Sequence, residues 1–169
     1  MGAKVHLFPD PALREKTKPV RNFGSRELDS IVKLLIETMT RQPSGIGIAA
    51  PQIGISKRIA IVDVSARVPG AERLILVNPE IVGSWDEKLS REGCMSVPDY
   101  TAHLKRFDRV CLTWQTTAGD HRRKVAAGIE AVCIQHEVDH LNGILFLDRV
   151  ASLKTDMIPR MARKPQPSK

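Results

Sequence analysis

Two histidines separated by three residues, His136 and His140, enclose Glu137 in the segment His-Glu-Val-Asp-His. On an α-helix, residues i and i+4 lie on one face, so both imidazoles can hold one metal ion. Glu137 follows His136 by about a third of a turn, which places its carboxylate beside a water bound to that ion. A metal lowers the pKa of such a water toward ~7, and the neighbouring carboxylate would accept its proton.

The same pattern on a surface helix would be no more than solvated charge, so the direction of the histidines matters. Both continue the apolar helical stripe formed by Ile129, Val132 and Cys133, which predicts that they point inward. Two buried imidazoles one turn apart would lack partners without a shared ligand. We therefore interpret the segment as a metal site.

A catalytic metal of this kind needs a third protein ligand and an open position. Zinc proteases with this motif usually take the third ligand from downstream, but no His or Glu follows His140 in this chain. The extended H-E-x-x-H-x-x-G-x-x-H pattern is matched as far as Gly143 and then places Phe146 where its last histidine should stand. The third ligand is therefore expected upstream of the motif.

Cys94 is the upstream candidate, in the segment Glu-Gly-Cys-Met-Ser-Val-Pro. The preceding Gly93 allows close approach of the backbone, and Pro98 ends the segment, so the thiol is expected in a tight loop. An isolated cysteine is more often a buried structural residue, and we assign Cys111 and Cys133 to that class.

A glycine-rich segment runs from Gly45 to Gly54 and contains a G-x-G-x-x-A pattern. A dinucleotide fingerprint should follow a strand and open a helix, whereas this segment follows a helix and is interrupted by Pro51. We interpret it instead as backbone that passes close to a ligand. Gln52 would offer its side-chain amide to a carbonyl oxygen.

Two helices and several strands are expected to position these residues. Apolar residues at helical spacing follow Ser25, a suitable N-cap, and Pro43 ends that first helix. A second helix carries the histidines, from Gly128 to a stop signal at Asn142-Gly143. A short last helix is expected at about 151–161. Strand-like runs occur at 58–64, 73–77 and 110–117. A return strand near 122–126 would form a hairpin with the last of these.

The composition fits one domain with a packed core. The chain has 169 residues, of which 42% are hydrophobic and 27% charged. No apolar run approaches the roughly 18 residues of a membrane span, and no apolar signal segment follows Lys4, so we expect a cytoplasmic protein without membrane contact. Three cysteines without close pairing indicate reduced thiols. The net charge of +7 is scattered, which argues against sequence-specific nucleic-acid binding.

Together, three segments resemble the peptide deformylase family, whose motifs are G-x-G-x-A-A-x-Q, E-G-C-x-S and Q-H-E-x-D-H. They occur here in the family's order at 45–52, 92–96 and 135–140. The resemblance extends from the first helix to about Asp148. It implies a single α+β domain, with mixed or antiparallel strands packed around the central helix that carries H-E-x-x-H. We place the catalytic domain at residues 1–163 and a disordered basic tail at 164–169.

The resemblance also implies a metal held by Cys94, His136 and His140, with Fe(II) as the native ion and Zn(II), Ni(II) or Co(II) as possible occupants. The substrates would be N-formylmethionyl peptides, from which formate is released. Glu137 would activate the attacking water and later protonate the leaving amine. The oxyanion would be met by the metal, the Gln52 amide and the backbone N–H of Met95.

Further site residues are expected around the substrate. Backbone near Gly47 would contact the peptide, and an apolar slot for the methionine side chain would be lined by Ile46, Ile129, Val132 and Cys133, each of which could instead be plain core. An ion pair between Glu92 and Arg106 would brace the Cys94 loop. Thr101 stands where many bacterial members have an arginine thought to engage the peptide.

Two alternatives of other kinds remain open at the level of sequence. A zinc endopeptidase is disfavoured by the missing downstream ligand, and a non-catalytic relative is disfavoured by Glu137, which a structural metal site does not need. The basic residues Arg160, Arg163 and Lys164 also suggest a contact between the C-terminus and the ribosome.

Overall fold

The computed structural model describes residues 2–161. It has two α-helices, α1 (Arg26–Thr40) and α2 (Gly128–Leu141), with short 3-10 helices at Pro11–Arg14, Ala50–Ile53 and Phe146–Asp148. The strands are β1 (Gly47–Ala49), β2 (Ile59–Val62), β3 (Leu74–Cys94), β4 (Val97–Gln115), β5 (His121–Ala127) and β6 (Met157–Pro159).

The strands form one six-stranded antiparallel sheet in the order β1-β2-β3-β4-β5, with β6 added to β4. β3 and β4 form one long hairpin. Its open end pairs with β2 and β5, and β6 pairs with β4 near the turn. The hairpin turns at residues 95–96, directly after Cys94, which pairs with Val97. This topology places the Cys94 loop at the tip of the longest hairpin.

The first helix forms where the sequence predicts it. The Ser25 side chain accepts the backbone N–H of Leu28 at 3.2 Å, which satisfies one of the free donors at the helix start. Its apolar face is buried, with Leu35 and Met39 almost fully excluded from solvent. That face packs against β1 and β2 and closes one side of the sheet.

β1 and β2 are buried on both faces because α2 covers the side opposite α1. Ile59 and Ile61 belong to the cluster under α1, whereas Ala60 and Val62 belong to the cluster under α2. Successive side chains of a strand alternate between faces. The same alternation directs Gly47 and Ala49 of β1 towards α2.

The α2 helix is buried along almost its whole length, polar residues included. Gln135 shows how such a residue is satisfied: its Nε2 donates to the Phe107 carbonyl at 2.7 Å, and its Oε1 accepts the Phe107 N–H at 3.1 Å. These bonds attach α2 to β4 and set the rotation of the helix about its axis.

The α+β fold class, both main helices and the hairpin of β4 and β5 are confirmed. The predicted helix at 151–161 is wrong, since this segment forms turns followed by β6. The Asp156 carboxylate accepts the Ser152 N–H at 2.9 Å, which favours a turn over a helix, and the free edge of β4 offers backbone partners to residues 157–159. No helix in residues 2–161 is long and apolar enough to cross a membrane.

Candidate active site

Three potential ligand side chains meet between the hairpin tip and α2. One donor atom each from Cys94, His136 and His140 lies within 4.8 Å of the other two. The Cys94 Sγ is 3.2 Å from Nε2 of His140, and the two imidazole centroids are 4.9 Å apart. More than 40 residues lie between Cys94 and His136 in the sequence, and the turn between β3 and β4 brings the thiol to the two histidines.

Glu92 orients the first histidine. Its Oε2 lies 2.8 Å from Nδ1 of His136, which leaves the other ring nitrogen to face Cys94. Arg106 donates to both oxygens of Glu92, at 2.6 and 3.0 Å, so the predicted ion pair is confirmed. Burial raises the pKa of Glu92, but hydrogen bonds from His136 and Arg106 outweigh it and lower that pKa to about 2.

The charge network continues beyond the residues that sequence reasoning identified. Asp139 accepts Nη1 of Arg106 at 2.6 Å and both Nε and Nη2 of Arg149 at 2.5 Å. Two carboxylates and two guanidinium groups therefore alternate behind the histidines. Arg149 gave no sequence signal, because it lies outside every motif and reaches Asp139 only in the folded chain.

Glu137 presents a carboxylate without a partner to the same space. Its Oε2 is buried and has no hydrogen-bond partner in residues 2–161. Burial raises the pKa of Glu137 to about 7, and the neighbouring positive histidines oppose that rise. A carboxyl group with a pKa near neutrality suits the transfer of protons in both directions.

Gly47 leaves the room that this carboxylate occupies. A Cβ built on Gly47 would overlap Oε1 of Glu137 and lie 2.9 Å from its Cδ, and 2.7 Å from Sγ of Cys133. Because β1 directs Gly47 towards α2, any larger residue would push the carboxyl group aside. The glycine-rich segment thus passes close to α2 itself, a contact that its sequence did not specify.

Gln52 and Met95 flank the cysteine. The Gln52 Oε1 accepts the Ala49 N–H at 2.9 Å, which turns Nε2 towards Sγ of Cys94 at 3.6 Å and Oγ of Ser96 at 3.1 Å. The Met95 side chain packs against the cluster beneath α1. Its backbone N–H has no hydrogen-bond acceptor within the described part of the chain, so two amide donors border the site.

The two buried thiols near Glu137 differ in their electrostatics. Burial raises the pKa of Cys94, but the positive charge of His140 and hydrogen bonds from both histidines bring it well below its usual value. Burial and the Glu137 charge raise the pKa of Cys133, whose Sγ donates to the Ile46 carbonyl at 3.3 Å. Only Cys94 is therefore poised to act as a thiolate ligand.

A cavity of about 850 Å³ opens onto these groups. The four predicted slot residues line it, namely Ile46, Ile129, Val132 and Cys133, and so does Gly47, whose backbone was predicted to contact the peptide. Ile129 and Val132 are only partly buried because they face the cavity. Arg160 and Met161 line it from the C-terminal segment, and sequence reasoning missed both as cavity residues.

The donor set fits a divalent metal. A thiolate and two imidazoles are ligands that Zn²⁺ and similar ions bind in tetrahedral sites, where catalytic centres keep the fourth position open. One observation agrees: the buried Glu137 Oε2, beside these three residues, has no hydrogen-bond partner in the described chain. Such a site, with a neighbouring base and two amide donors, can hydrolyse an acyl group.

Comparisons with known proteins agree with this chemistry. A family model described as polypeptide deformylase matches residues 3–156. The peptide deformylase of Heliobacterium modesticaldum is 47% identical over 83% of this chain and 89% of its own length. A crystal structure of a peptide deformylase from Legionella pneumophila is similar with a TM-score of 0.84 and 37% identity, covering 91% of this chain and 89% of that one. A crystal structure of a peptide deformylase from Acinetobacter baumannii with Met-Ala-Ser bound is similar with a TM-score of 0.83 and 35% identity. The match covers 89% of this chain and 99% of that one.

Proposed function

The chain belongs to the peptide deformylase family, and we propose that Cys94, His136 and His140 hold the divalent metal ion of this metal-dependent hydrolase. The reaction removes the N-formyl group from newly made peptides and releases formate. The observation that carries the assignment of residues is the convergence of these three donors beside the unpartnered Glu137 carboxylate.

A divalent ion at this site would supply Lewis acidity, which acidifies water and polarises a carbonyl oxygen. We propose Fe(II) as the native ion on the basis of the family resemblance, with Zn(II), Ni(II) or Co(II) as alternatives. Glu92 supports the site by accepting the Nδ1–H of His136, and an acceptor of this kind raises the basicity of a histidine ligand. Metal analysis of protein purified with and without oxygen tests the identity of the ion.

Glu137 is proposed as the base and acid of the reaction. Its carboxylate would take a proton from the attacking water and return it to the amine that leaves. This role is supported by its burial, its lack of a partner and a pKa raised to about 7. Gly47 is a positioning residue, since its missing side chain leaves the space in which the carboxylate lies.

Gln52 and Met95 are proposed to stabilise the oxyanion that develops on the formyl group. The Gln52 amide has two N–H hydrogens near Cys94 and Ser96, and the Ala49 contact holds the amide in that orientation. The Met95 contribution is its backbone N–H. Removing one preorganised donor typically lowers kcat by about 10²- to 10³-fold.

The formylated methionine is proposed to occupy the part of the cavity lined by Ile46, Ile129, Val132 and Cys133. Their apolar side chains suit an unbranched thioether, and backbone at Gly47 would lie alongside the peptide. A cavity of about 850 Å³ is near the upper end of the ~300–1,000 Å³ usual for ligand sites, so residues beyond the first can enter it as well.

The decisive experiment measures formate release from formyl-Met-Ala-Ser by Fe(II)- or Ni(II)-loaded protein prepared without oxygen. We expect turnover by the wild type and its loss in Glu137→Gln, with metal content unchanged. Glu130→Gln serves as a matched control, because Glu130 lies on the same helix but pairs with Lys124 at 2.8 Å. Full activity of Glu137→Gln would contradict the proposed role, and loss of metal from it would make Glu137 part of the metal site.

We further propose that the protein acts in the cytoplasm and contacts the ribosome through its basic C-terminus. Arg160 is exposed, while Arg163, Lys164 and the predicted tail at 164–169 lie outside the described residues. Co-sedimentation with ribosomes that is unchanged after deletion of residues 162–169 would contradict the contact.

A further inference from the structure

The C-terminal segment brings an arginine to the entrance of the active-site cavity. β6 pairs with β4 in a register that sets Ile158 opposite Thr101 and Pro159 opposite Tyr100. The Arg160 N–H then donates to the Asp99 carbonyl at 2.8 Å. The register therefore fixes the backbone of Arg160 beside the hairpin tip that carries Cys94.

The guanidinium group lies against the backbone next to the cysteine. A Cβ built on Gly93 would overlap Nη2 of Arg160, and it would lie 3.2 Å from the Arg160 Cζ and 3.3 Å from Cγ2 of Thr101. The arginine thus uses the space that a side chain at position 93 would need. It lines the same cavity as Glu137 and Cys94.

The donors of this guanidinium are unused in the described chain. No hydrogen bond or ion pair of the Arg160 side chain is found within residues 2–161, although Asp99 is its backbone neighbour. Two neighbouring cations that line the same cavity are engaged: Lys88 pairs with Asp108 at 2.9 Å, and Arg91 Nε donates to Oγ1 of Thr101 at 3.2 Å. Arg160 therefore presents five free N–H donors at the mouth of a peptide-binding cavity.

We propose that Arg160 is a substrate-binding residue that donates to main-chain oxygens of the peptide beyond the formylated residue, and to the terminal carboxylate when the peptide is short. A guanidinium group matches a carboxylate with two parallel hydrogen bonds and a carbonyl with one. Main-chain oxygens are present in every peptide, so this contact would be independent of sequence, as an enzyme acting on many nascent chains requires. The inference rests on the proposed function of the site.

The test compares formyl-Met-Ala-Ser as the free acid with the same peptide as its C-terminal amide. In Arg160→Ala, we expect the KM for the acid to rise about tenfold, because the variant loses one charge-assisted hydrogen bond to the substrate. For the amide we expect a rise of about threefold or less, with kcat within about twofold for both. Arg160→Lys keeps the charge without the planar fork and should lie between wild type and Arg160→Ala.

Two variants separate this contact from its neighbours. Lys154→Ala removes an exposed cation from the same segment but does not line the cavity, and it should leave both KM values unchanged. Arg91→Ala removes another arginine that lines the cavity. If Arg91→Ala abolishes the preference for the acid while Arg160→Ala keeps it, the proposal is wrong.

Direct binding gives a readout that does not depend on turnover. Calorimetry with the product-like peptide Met-Ala-Ser, as acid and amide, should show that Arg160→Ala weakens binding of the acid more than that of the amide. Equal weakening of both, with a lowered thermal midpoint, would show that the arginine only attaches β6, and would overturn the proposal. Absence of formate release by the wild type would instead overturn the proposed function.

Discussion

The lack of space at Gly47 predicts the effect of a single added methyl group on activity. In Gly47→Ala, the new Cβ would stand 2.9 Å from the Glu137 Cδ and 2.7 Å from Sγ of Cys133. Carbon atoms in contact prefer about 3.5–4.0 Å, so the carboxyl group must retreat by roughly 0.6–1 Å. The backbone at Gly47 is extended, so alanine itself adds no strain there.

A displacement of about 1 Å in a catalytic group typically costs a factor of about 10² in rate, equivalent to roughly 2.7 kcal/mol in the activation free energy. We therefore expect kcat/KM of Gly47→Ala for formyl-Met-Ala-Ser to fall about 100-fold. The metal content should not change, because the three nearest neighbours of the new methyl group are atoms of Glu137 and Cys133 and not of the proposed ligands. Formate release and metal analysis on the same preparation measure both quantities.

A matched glycine on the same sheet controls for the substitution itself. In Gly83→Ala the new Cβ would lie 3.0 Å from the Trp85 ring, which is 45% exposed and can move, and at an ordinary contact distance of 3.5 Å from Cβ of Cys111. Its activity should equal that of the wild type. If Gly47→Ala keeps activity within about threefold of wild type, the space at Gly47 does not position Glu137 and the reasoning fails.

Other perturbations test the supporting structure. The pKa of Glu92, lowered from 4.5 to about 2, means that this residue stabilises the fold fully above pH 4.5 and loses that effect as the pH falls toward 2. The acid unfolding of Glu92→Gln, followed by circular dichroism, should lack this pH-dependent loss of stability, and an acid transition identical to that of the wild type would contradict the stabilising role of Glu92. The metal affinity of the variant should fall about 10- to 100-fold because His136 loses its acceptor. Removing the metal with a chelator should lower the midpoint of thermal unfolding of the wild type. Cys94→Ser should show a low midpoint both with and without the chelator. If the chelator lowers the midpoint of Cys94→Ser as much as that of the wild type, the thiol is not a ligand. Ser25→Ala should reduce the free energy of unfolding in urea by about 1 kcal/mol through loss of the cap to Leu28, without affecting kcat; a loss of activity would show that α1 communicates with the site.

Local patterns in the sequence were sufficient for both main helices, for the hairpin of β4 and β5 and for a choice of candidate reactive groups. The spacing of His136 and His140 required a helix to bring them together, and α2 has the bounds that Gly128 and Asn142-Gly143 indicated. The apolar periodicity after Ser25 likewise predicted α1. Periodicity and end signals act within a few residues of each other, so one sequence contains the information they need.

The last segment shows where local patterns are insufficient. Residues 157–159 become a strand only because β4 has a free edge beside them, and the same pairing delivers Arg160 to the cavity. Thr101 stands where many family members have an arginine, and no local pattern indicates that a guanidinium from the C-terminal segment lies close to it.

The sequence by itself determined which side chains could bind a metal and move a proton, because chemical type and helical spacing are written in the residues. The tertiary structure brings the predicted thiol to the histidines, and it alone decided what supports them and what room they have. Cys94 and Cys133 are equally cysteines, yet one lies against two imidazoles and the other donates to a backbone carbonyl. Distances and burial are produced by packing between remote segments, and they set the pKa values and the free space on which the reaction depends.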